Sequence, residues 1–341
     1  MRVWIVGVVV TAAAASVGAC GGSGGQGFGL GDGGASSGAT SSGGGSSGGS
    51  SSSGSSSGSF GGSSSGTGSS GGGGQPLIYA HTDAELYSMD PTSHQITDIG
   101  PFSDGSGSTP VITDLAVDGN DNVWVNSETA IYKALLPASG TGAVSLTLQT
   151  SLPSGTRFYA LGFAPAGMLE TGESLIAGDS SGSLYYVDAS GASATPQNLG
   201  NFGTAPGGGT YELSGDVVFY TLNGTPRGLA TVRSCTSSCS TTDDYLVEID
   251  VAAMQSAFQS KSPAASLLKT KIGSSGTGYG RLFGVGAWGN SVYAFARAGS
   301  SGNPPAQLVQ VQGSGAGSVL QTFSNITAGW SGAGVTTKAQ V

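Results

Sequence analysis

The sequence predicts an all-β domain of repeated strand units, carried on a long N-terminal segment without regular structure. Residues 76–341 show short apolar-polar alternations separated by Gly, Asn, Asp and Pro, which is the pattern of strands and turns. One strand phrase also recurs along this part of the chain. Residues 21–75, by contrast, contain 25 Gly and 20 Ser among 55 positions. Such a segment buries too little apolar surface to offset its conformational entropy, so we expect a flexible coil.

The composition argues against several classes of partner and site. The 341 residues include 63 Gly, 11 Lys+Arg and 20 Asp+Glu, for a formal net charge of −9. A nucleic-acid interface or a polybasic membrane surface needs clustered Lys and Arg, so we expect neither. Two His and three Cys provide little material for a zinc site or a Cys–His nucleophile.

The first residues have the pattern of an export signal. A short basic start precedes the almost wholly apolar stretch 3–15, which is shorter than the roughly 20 residues of a transmembrane helix. The segment ends on Val17-Gly18-Ala19-Cys20, which resembles the lipobox of bacterial lipoproteins. The resemblance implies a signal peptide over 1–19 and lipidation of Cys20. Ordinary cleavage beside an Ala-rich tripeptide, leaving Cys20 as a free thiol, remains the alternative.

Residues 20–75 then form the predicted tether between lipid and folded domain. Its root-mean-square span is on the order of 40 Å, which would hold the domain clear of the membrane. The resemblance to lipoproteins implies a bacterial cell-envelope location, periplasmic or surface-exposed. In enterobacteria an Asp after the lipidated Cys tends to retain a lipoprotein in the inner membrane; Gly21 lacks this signal and favours the outer membrane.

The recurring phrase is an aliphatic or aliphatic-aromatic pair, an apolar or acidic step and a polar turn. Its copies start at Leu86, Ile131, Leu184, Leu246 and Leu308. These starts lie 45, 53, 62 and 62 residues apart, close to or somewhat above the period of about 40–50 residues of propeller repeats.

A second phrase, rich in Gly and Ala, precedes the first in each period and predicts an inner strand. It spans residues 112–118 and 282–288 most clearly, and 159–163 and 213–217 less so. Small residues are expected where sheets converge. Residues 76–102 provide the later strands of a sheet but no inner strand before them. Residues 326–338 provide an inner strand but no later strands after it. We therefore expect the two ends to complete a single sheet.

Residues 76–341 therefore resemble the β-propeller superfamily, with five blades closed by the N- and C-terminal strands. The phrase 112–125 is similar to repeats of lactonase-like and NHL-type propellers. A two-sheet sandwich is the structural alternative, but it does not explain the matched half-sheets at the two ends. Helical spacing of Val251, Met254, Ala257 and Phe258 predicts a short packing helix, with a partner groove as its alternative.

Three motifs that could suggest a chemical site are predicted to have structural roles. Cys235 and Cys239, four residues apart in an exported domain, predict a disulfide rather than metal ligands. The G-x-S-x-G match at 178–182 is followed by a strand and not by a helix, which predicts a hairpin turn in place of a hydrolase nucleophile. The stretch 118–122 begins like a calcium loop but has Val123 and Thr129 at the Gly and Glu positions, so a hairpin turn is again favoured.

No catalytic residues are predicted. His81 and His94 each stand alone in a strand-turn context, and Asp83, on the same strand face as His81, is equally typical of a solvated surface. The expected ligand site is the channel mouth, where inner strands begin. The repeat alignment places five candidate binding residues there: Asp114, Tyr159, Glu212, Arg281 and Trp330.

The sequence is compatible with two functions. The favoured one is a monomeric binding or scaffold module without a cofactor, engaging an envelope protein or polysaccharide; an envelope-assembly accessory is not separable from it. The alternative, implied by the lactonase-like resemblance, is a hydrolase with a divalent cation in the channel, held by residues such as Asp114 and Glu212.

Overall fold

The computed structural model describes residues 77–107, 109–239, 243–273, 275–297 and 306–339. The predicted signal peptide, Cys20 and the tether lie outside the described residues. The described residues form twenty strands and one helix. In chain order these are β1 (Ile78–His81), β2 (Glu85–Met89), β3 (Ile96–Ser103), β4 (Ile112–Val117), β5 (Val123–Ser127), β6 (Ala130–Leu135), β7 (Val144–Ser151), β8 (Ala160–Ala164), β9 (Ser174–Gly178), β10 (Ser183–Asp188), β11 (Thr195–Asn201), β12 (Thr210–Leu222), β13 (Thr225–Cys235), β14 (Tyr245–Ile249), α1 (Val251–Ser260), β15 (Leu268–Lys271), β16 (Leu282–Trp288), β17 (Ser291–Arg297), β18 (Ala306–Val311), β19 (Gly317–Phe323) and β20 (Gly332–Val335).

The strands form three four-stranded sheets and one eight-stranded sheet. The four-stranded sheets are β8-β9-β10-β11, β12-β13-β14-β15 and β16-β17-β18-β19 in spatial order. The eight-stranded sheet has the order β20-β1-β2-β3-β7-β6-β5-β4. Its two halves are joined through β3 and β7, where two residue pairs are in parallel register, Phe102 with Val144 and Ser103 with Ser145.

The innermost strands contact one another in a closed ring. β4 contacts β8, β8 contacts β12, β12 contacts β16, β16 contacts β20, and β20 contacts β4. Sheets radiating from such a ring form a β-propeller, in agreement with the resemblance found in the sequence. The repeated phrases were located correctly, because the predicted inner strands correspond to β4, β8, β12 and β16.

The two ends of the folded part share one sheet, as predicted. β1 pairs antiparallel with β20, with Ile78 opposite Val335, Tyr79 opposite Gly334 and His81 opposite Gly332. The C-terminal strand thus supplies the inner position beside the N-terminal strand.

Small residues in the inner strands allow the sheets to approach closely. A Cβ on Gly215 would overlap the Leu282 carbonyl oxygen and the Phe283 Cα of the next inner strand. A Cβ on Gly284 would lie 2.6 Å from the Ala333 nitrogen. These contacts explain the Gly-rich composition of the phrase, since any larger residue would push neighbouring sheets apart.

Helix α1 packs against β11 and β13, which belong to the two sheets β8-β9-β10-β11 and β12-β13-β14-β15, and this confirms the predicted packing helix. Asp250 caps its N-terminus by accepting from the Ala253 nitrogen. Met254 and Ala257 are buried, and Gln197 of β11 donates to the Ala257 and Phe258 carbonyls. Among the described residues, no helix has the length and apolar character needed to cross a membrane.

A cluster of aromatic side chains stabilises the closure. Trp330, just before β20, is fully buried and lies edge-to-face against Tyr87, Phe295 and Phe323, at ring-centroid distances of 5.3, 5.4 and 5.8 Å. The three partners come from β2, β17 and β19, so one indole joins the eight-stranded sheet to the sheet β16-β17-β18-β19.

We expect Trp330→Ala to lower the free energy of unfolding by about 3–5 kcal/mol, because it leaves a large cavity at this junction. Chemical denaturation with a two-state fit measures the change. The control is Val319→Ala on the outer strand β19, where the side chain is 37% exposed and the expected loss is below about 1 kcal/mol. Equal losses in the two variants would contradict a special role of Trp330 in closure.

Candidate functional site

A cavity of about 400 Å³ opens at the end of the ring where the inner strands begin. The starts of the inner strands and the residues just before them contribute Thr113, Tyr159, Phe283 and Ser331, and β12 contributes Ser214 from the point where its register shifts. The turns between second and third strands contribute Asp83, Glu128 and Ser180 to the same cavity. We call this cavity the channel mouth.

Charges of both signs surround the channel mouth and are paired with one another. The Arg297 Nη2 donates to the Ser331 hydroxyl at 2.9 Å and lies 3.5 Å from the Asp83 carboxylate, which also accepts from Ser331. Across the mouth, the Arg233 Nη2 lies 3.6 Å from the Glu212 carboxylate. The Nε of both arginines is buried without a hydrogen-bond partner among the described residues, so each retains a donor.

The apolar part of the mouth is exposed to an unusual degree for its residue types. Val111 is 59% and Tyr159 is 36% exposed, and both line the cavity. The Phe283 ring lies beneath the Arg297 guanidinium, whose central carbon is 5.5 Å from the ring centroid. Aromatic faces beside fixed charged groups are suited to a ligand with both apolar and polar surface.

The five predicted binding residues occupy different environments. Tyr159 lines the channel mouth, and Glu212 lies at its edge beside Arg233. Arg281 directly precedes β16 with a positive φ of 61°, and its carbonyl accepts from the Arg297 nitrogen. Asp114 and Trp330 are fully buried. The repeat alignment therefore located the inner-strand starts, but side-chain direction differed from strand to strand, because alternate residues point to opposite faces.

Buried carboxyls below the mouth bind the backbone of neighbouring inner strands. Asp114 of β4 accepts from the Leu161 nitrogen of β8 at 2.6 Å. Asp216 of β12 accepts from the Val285 nitrogen of β16 at 2.8 Å. An inner strand has one edge facing the channel, where its N–H groups lack a ladder partner, and these carboxyls satisfy some of them. Burial raises the pKa of both well above the ordinary value. The Asp216 carboxyl raises the pKa of Asp114 further, whereas the hydrogen bond with Asp114 acts in the opposite direction on the pKa of Asp216.

A third buried carboxyl, Asp244, supports the floor of the mouth. It accepts from the Ser214 hydroxyl, which lines the cavity, and from the Leu282 nitrogen at 2.8 Å. Desolvation raises its pKa to about 6, while the two hydrogen bonds act in the opposite direction.

His81, interpreted from the sequence as a lone or solvated residue, is fully buried and lies 3.8 Å from Asp114. That interpretation was wrong, because β1 is an interior strand between β20 and β2, and all four of its residues are buried. The predicted pairing of the N-terminal and C-terminal strands, which gives β1 a neighbour on each side, could have indicated this. His94, by contrast, lies at the β2–β3 turn and contacts the Tyr293 hydroxyl at 3.2 Å.

The remaining motifs have their predicted structures. Cys235 and Cys239 form a disulfide. Together with Glu212 they are the one group of three or more possible metal-ligating side chains within 4.8 Å in the described part of the chain, and both sulfurs are used in the disulfide. Residues 178–182 form the β9–β10 hairpin turn, and residues 118–122 the β4–β5 turn, where Asp118 accepts from Asn120 and Asn122 nitrogens.

No protein-family model matches the chain, and no curated protein matches it by sequence. Similar solved structures include a protein of unknown function from Bacteroides caccae (10% identity, 76% of this chain and 98% of that chain, TM-score 0.40). Others are a nidogen/laminin complex (12%, 79% and 100%, TM-score 0.42) and the Dos1 propeller (14%, 70% and 54%, TM-score 0.33).

The raised pKa of Asp244 predicts a pH-dependent effect of Asp244→Asn. Between its ordinary value of 3.8 and about 6, the folded chain holds a proton that the unfolded chain releases, so the wild-type free energy of unfolding falls as pH rises through this window. Asn does not titrate. The stability of the variant relative to wild type should therefore rise by roughly 2.5 kcal/mol from pH 4 to pH 7.

Urea denaturation of both proteins across this pH range measures the difference. The control is Asp104→Asn, because hydrogen bonds from Ser106 lower the pKa of Asp104 and any pH trend should have the opposite sign. A pH-independent gap for Asp244→Asn would show that the carboxyl ionises as in the unfolded chain.

Proposed function

We propose that this chain is a lipid-anchored extracytoplasmic binding module, in which a five-bladed β-propeller takes its ligand at the channel mouth. The channel mouth itself carries the proposal. It combines exposed aromatic and aliphatic surface with fixed charged side chains of both signs, at the end of a rigid ring.

The count of five blades is part of the proposal. The eight-stranded sheet divides at the short β3–β7 pairing into two groups of four antiparallel strands, and the other sheets supply three further groups. Each group has one inner strand in the ring. A parallel bridge joins Val117, at the end of β4, to Thr336, directly after β20, so the inner strands of the two halves of the eight-stranded sheet lie side by side.

The ligand is proposed to be an envelope polysaccharide or an envelope protein. A cavity of about 400 Å³ admits a sugar unit or a few side chains and not a whole partner. The guanidinium groups of Arg233 and Arg297, whose side chains are 29% and 24% exposed, favour a ligand with hydrogen-bond acceptors. The chain is proposed to act as a monomer at the outer membrane, with no nucleic acid as partner and no cofactor needed for ligand binding.

The hydrolase alternative requires Asp114 and Glu212 to hold one divalent cation. Asp114 instead accepts from the Leu161 nitrogen inside the ring, and Glu212 lies beside Arg233 and the disulfide at the edge of the mouth. These different surroundings favour the binding module.

We expect Tyr159→Ala to weaken ligand binding about 10-fold or more, because it removes the exposed aromatic face of the mouth. Arrays of bacterial glycans, with cross-linking on intact cells in parallel, identify the ligand, and biolayer interferometry then measures affinity. The matched control is Leu148→Ala, whose side chain is 57% exposed on the outer strand β7, away from the mouth. Equal affinity of the two variants would place the ligand elsewhere.

The proposed anchor predicts that Cys20→Ser releases the protein from the membrane. Wild type expressed in a bacterial host should incorporate labelled palmitate and sediment with membranes, and Cys20→Ser should do neither. Protease accessibility on intact cells then decides between a periplasmic and a surface location. A wild-type chain recovered unlabelled in the soluble fraction would contradict lipidation.

A further inference from the structure

Two buried side chains in the wall of the channel face each other through one polar atom each that lacks a hydrogen-bond partner. The His81 Nε2 lies 3.8 Å from the Asp114 Oδ1, and both side chains are 0% exposed. Neither atom has a hydrogen-bond partner among the described residues. Unpartnered buried polar atoms are costly, so the pair requires a physical explanation.

The hydrogen bond on the other side of the imidazole fixes which nitrogen carries the proton. The His81 Nδ1 lies 2.7 Å from the Thr82 carbonyl oxygen, which only accepts, so Nδ1 is the donor. The ring is fully buried, which favours its neutral form. Nε2 therefore presents a lone pair towards a carboxyl oxygen. A backbone carbonyl that orients the ring through Nδ1 is the usual support of a metal-binding histidine.

The separation of the two atoms suits a shared metal ion better than a shared proton. A direct hydrogen bond between a carboxyl group and a ring nitrogen would need about 2.6–3.0 Å. Two ligands that each lie about 2.0–2.2 Å from one zinc ion are separated by roughly 3.3–4.4 Å, depending on the angle at the metal. The observed 3.8 Å falls within this range.

Two neighbouring residues fit the same interpretation. Gly332 of β20 lies against the gap, and a Cβ there would overlap both the Asp114 Oδ1 and the His81 Nε2. Glycine thus keeps the space between them open. Asp216 lies within side-chain hydrogen-bonding reach of Asp114 and adds a second carboxyl group beside the pair.

We propose that His81 and Asp114 form a divalent metal site of zinc type in the channel wall, with Asp216 beside it and solvent completing the coordination. Nitrogen and carboxylate oxygen together are donors suited to zinc. Access runs through the channel mouth, whose lining includes Thr113 and Ser331, the sequence neighbours of Asp114 and Gly332. The ion would join β1 to β4 across the closure of the ring. This inference does not depend on the ligand proposed for the mouth.

The test is zinc binding by the full chain, stripped with a chelator and kept oxidised so that the Cys235–Cys239 disulfide is intact. Competition with a chromophoric chelator should give one zinc ion per chain. His81→Gln and Asp114→Asn should each weaken binding at least about 100-fold, beyond the 10–100-fold typical of a lost supporting partner. His94→Gln, which removes the other histidine at the β2–β3 turn, should bind zinc as wild type does.

Two further measurements keep the proposal testable if a buried substitution impairs folding. Zinc should raise the melting temperature of wild type and of His94→Gln, because it binds the folded state alone. Gly332→Ala should lose zinc binding with both ligands retained, since its methyl group fills the gap. Wild type without stoichiometric zinc would overturn the proposal. Zinc binding abolished by Cys235→Ser with Cys239→Ser, and retained in His81→Gln, would instead assign the metal to the Glu212 group.

Discussion

The pairing of the first and last strands is the interaction on which the rest of this structure depends. β1 and β20 are separated by the whole folded chain, yet they share an antiparallel ladder of four residue pairs. Without it, β4 and β16 would each lose an inner neighbour, and two sheet edges would be exposed to solvent. Trp330 lies at this junction and is buried against aromatic rings from three strands. Apolar packing therefore stabilises the closure together with the backbone hydrogen bonds.

The ring then determines the chemistry of its centre. Inner strands turn an unpaired edge towards the channel, and Gly and Ala allow them to approach so closely that few side chains fit between. Asp114 and Asp216 provide acceptors for N–H groups of the next strand. Carboxyls in such a dry position hold their protons more tightly, or they need a cation, which is the physical basis of the metal site proposed at His81 and Asp114.

The channel mouth differs from the centre because solvent reaches it. Its carboxylates Asp83 and Glu128 come from turns between strands, whereas Arg233 and Arg297 belong to β13 and β17 and extend their long side chains to the cavity. Pairing of Arg297 with Asp83 and of Arg233 with Glu212 reduces the net field of the mouth. Recognition at this site would therefore rest on hydrogen bonding and aromatic contact more than on long-range attraction.

The sequence by itself determined the strand phrases, the inner-strand positions, helix α1, the disulfide and the two hairpin turns. Each of these depends on residues close together in the chain, so periodicity and turn chemistry are sufficient. The composition of the two ends also predicted their union. Only the tertiary structure decided that Tyr159 faces the mouth whereas Trp330 enters the core, because a shift of one residue in strand register reverses side-chain direction. It alone placed His81 beside Asp114, since these residues lie on different strands, and only the closed ring brings them within 3.8 Å.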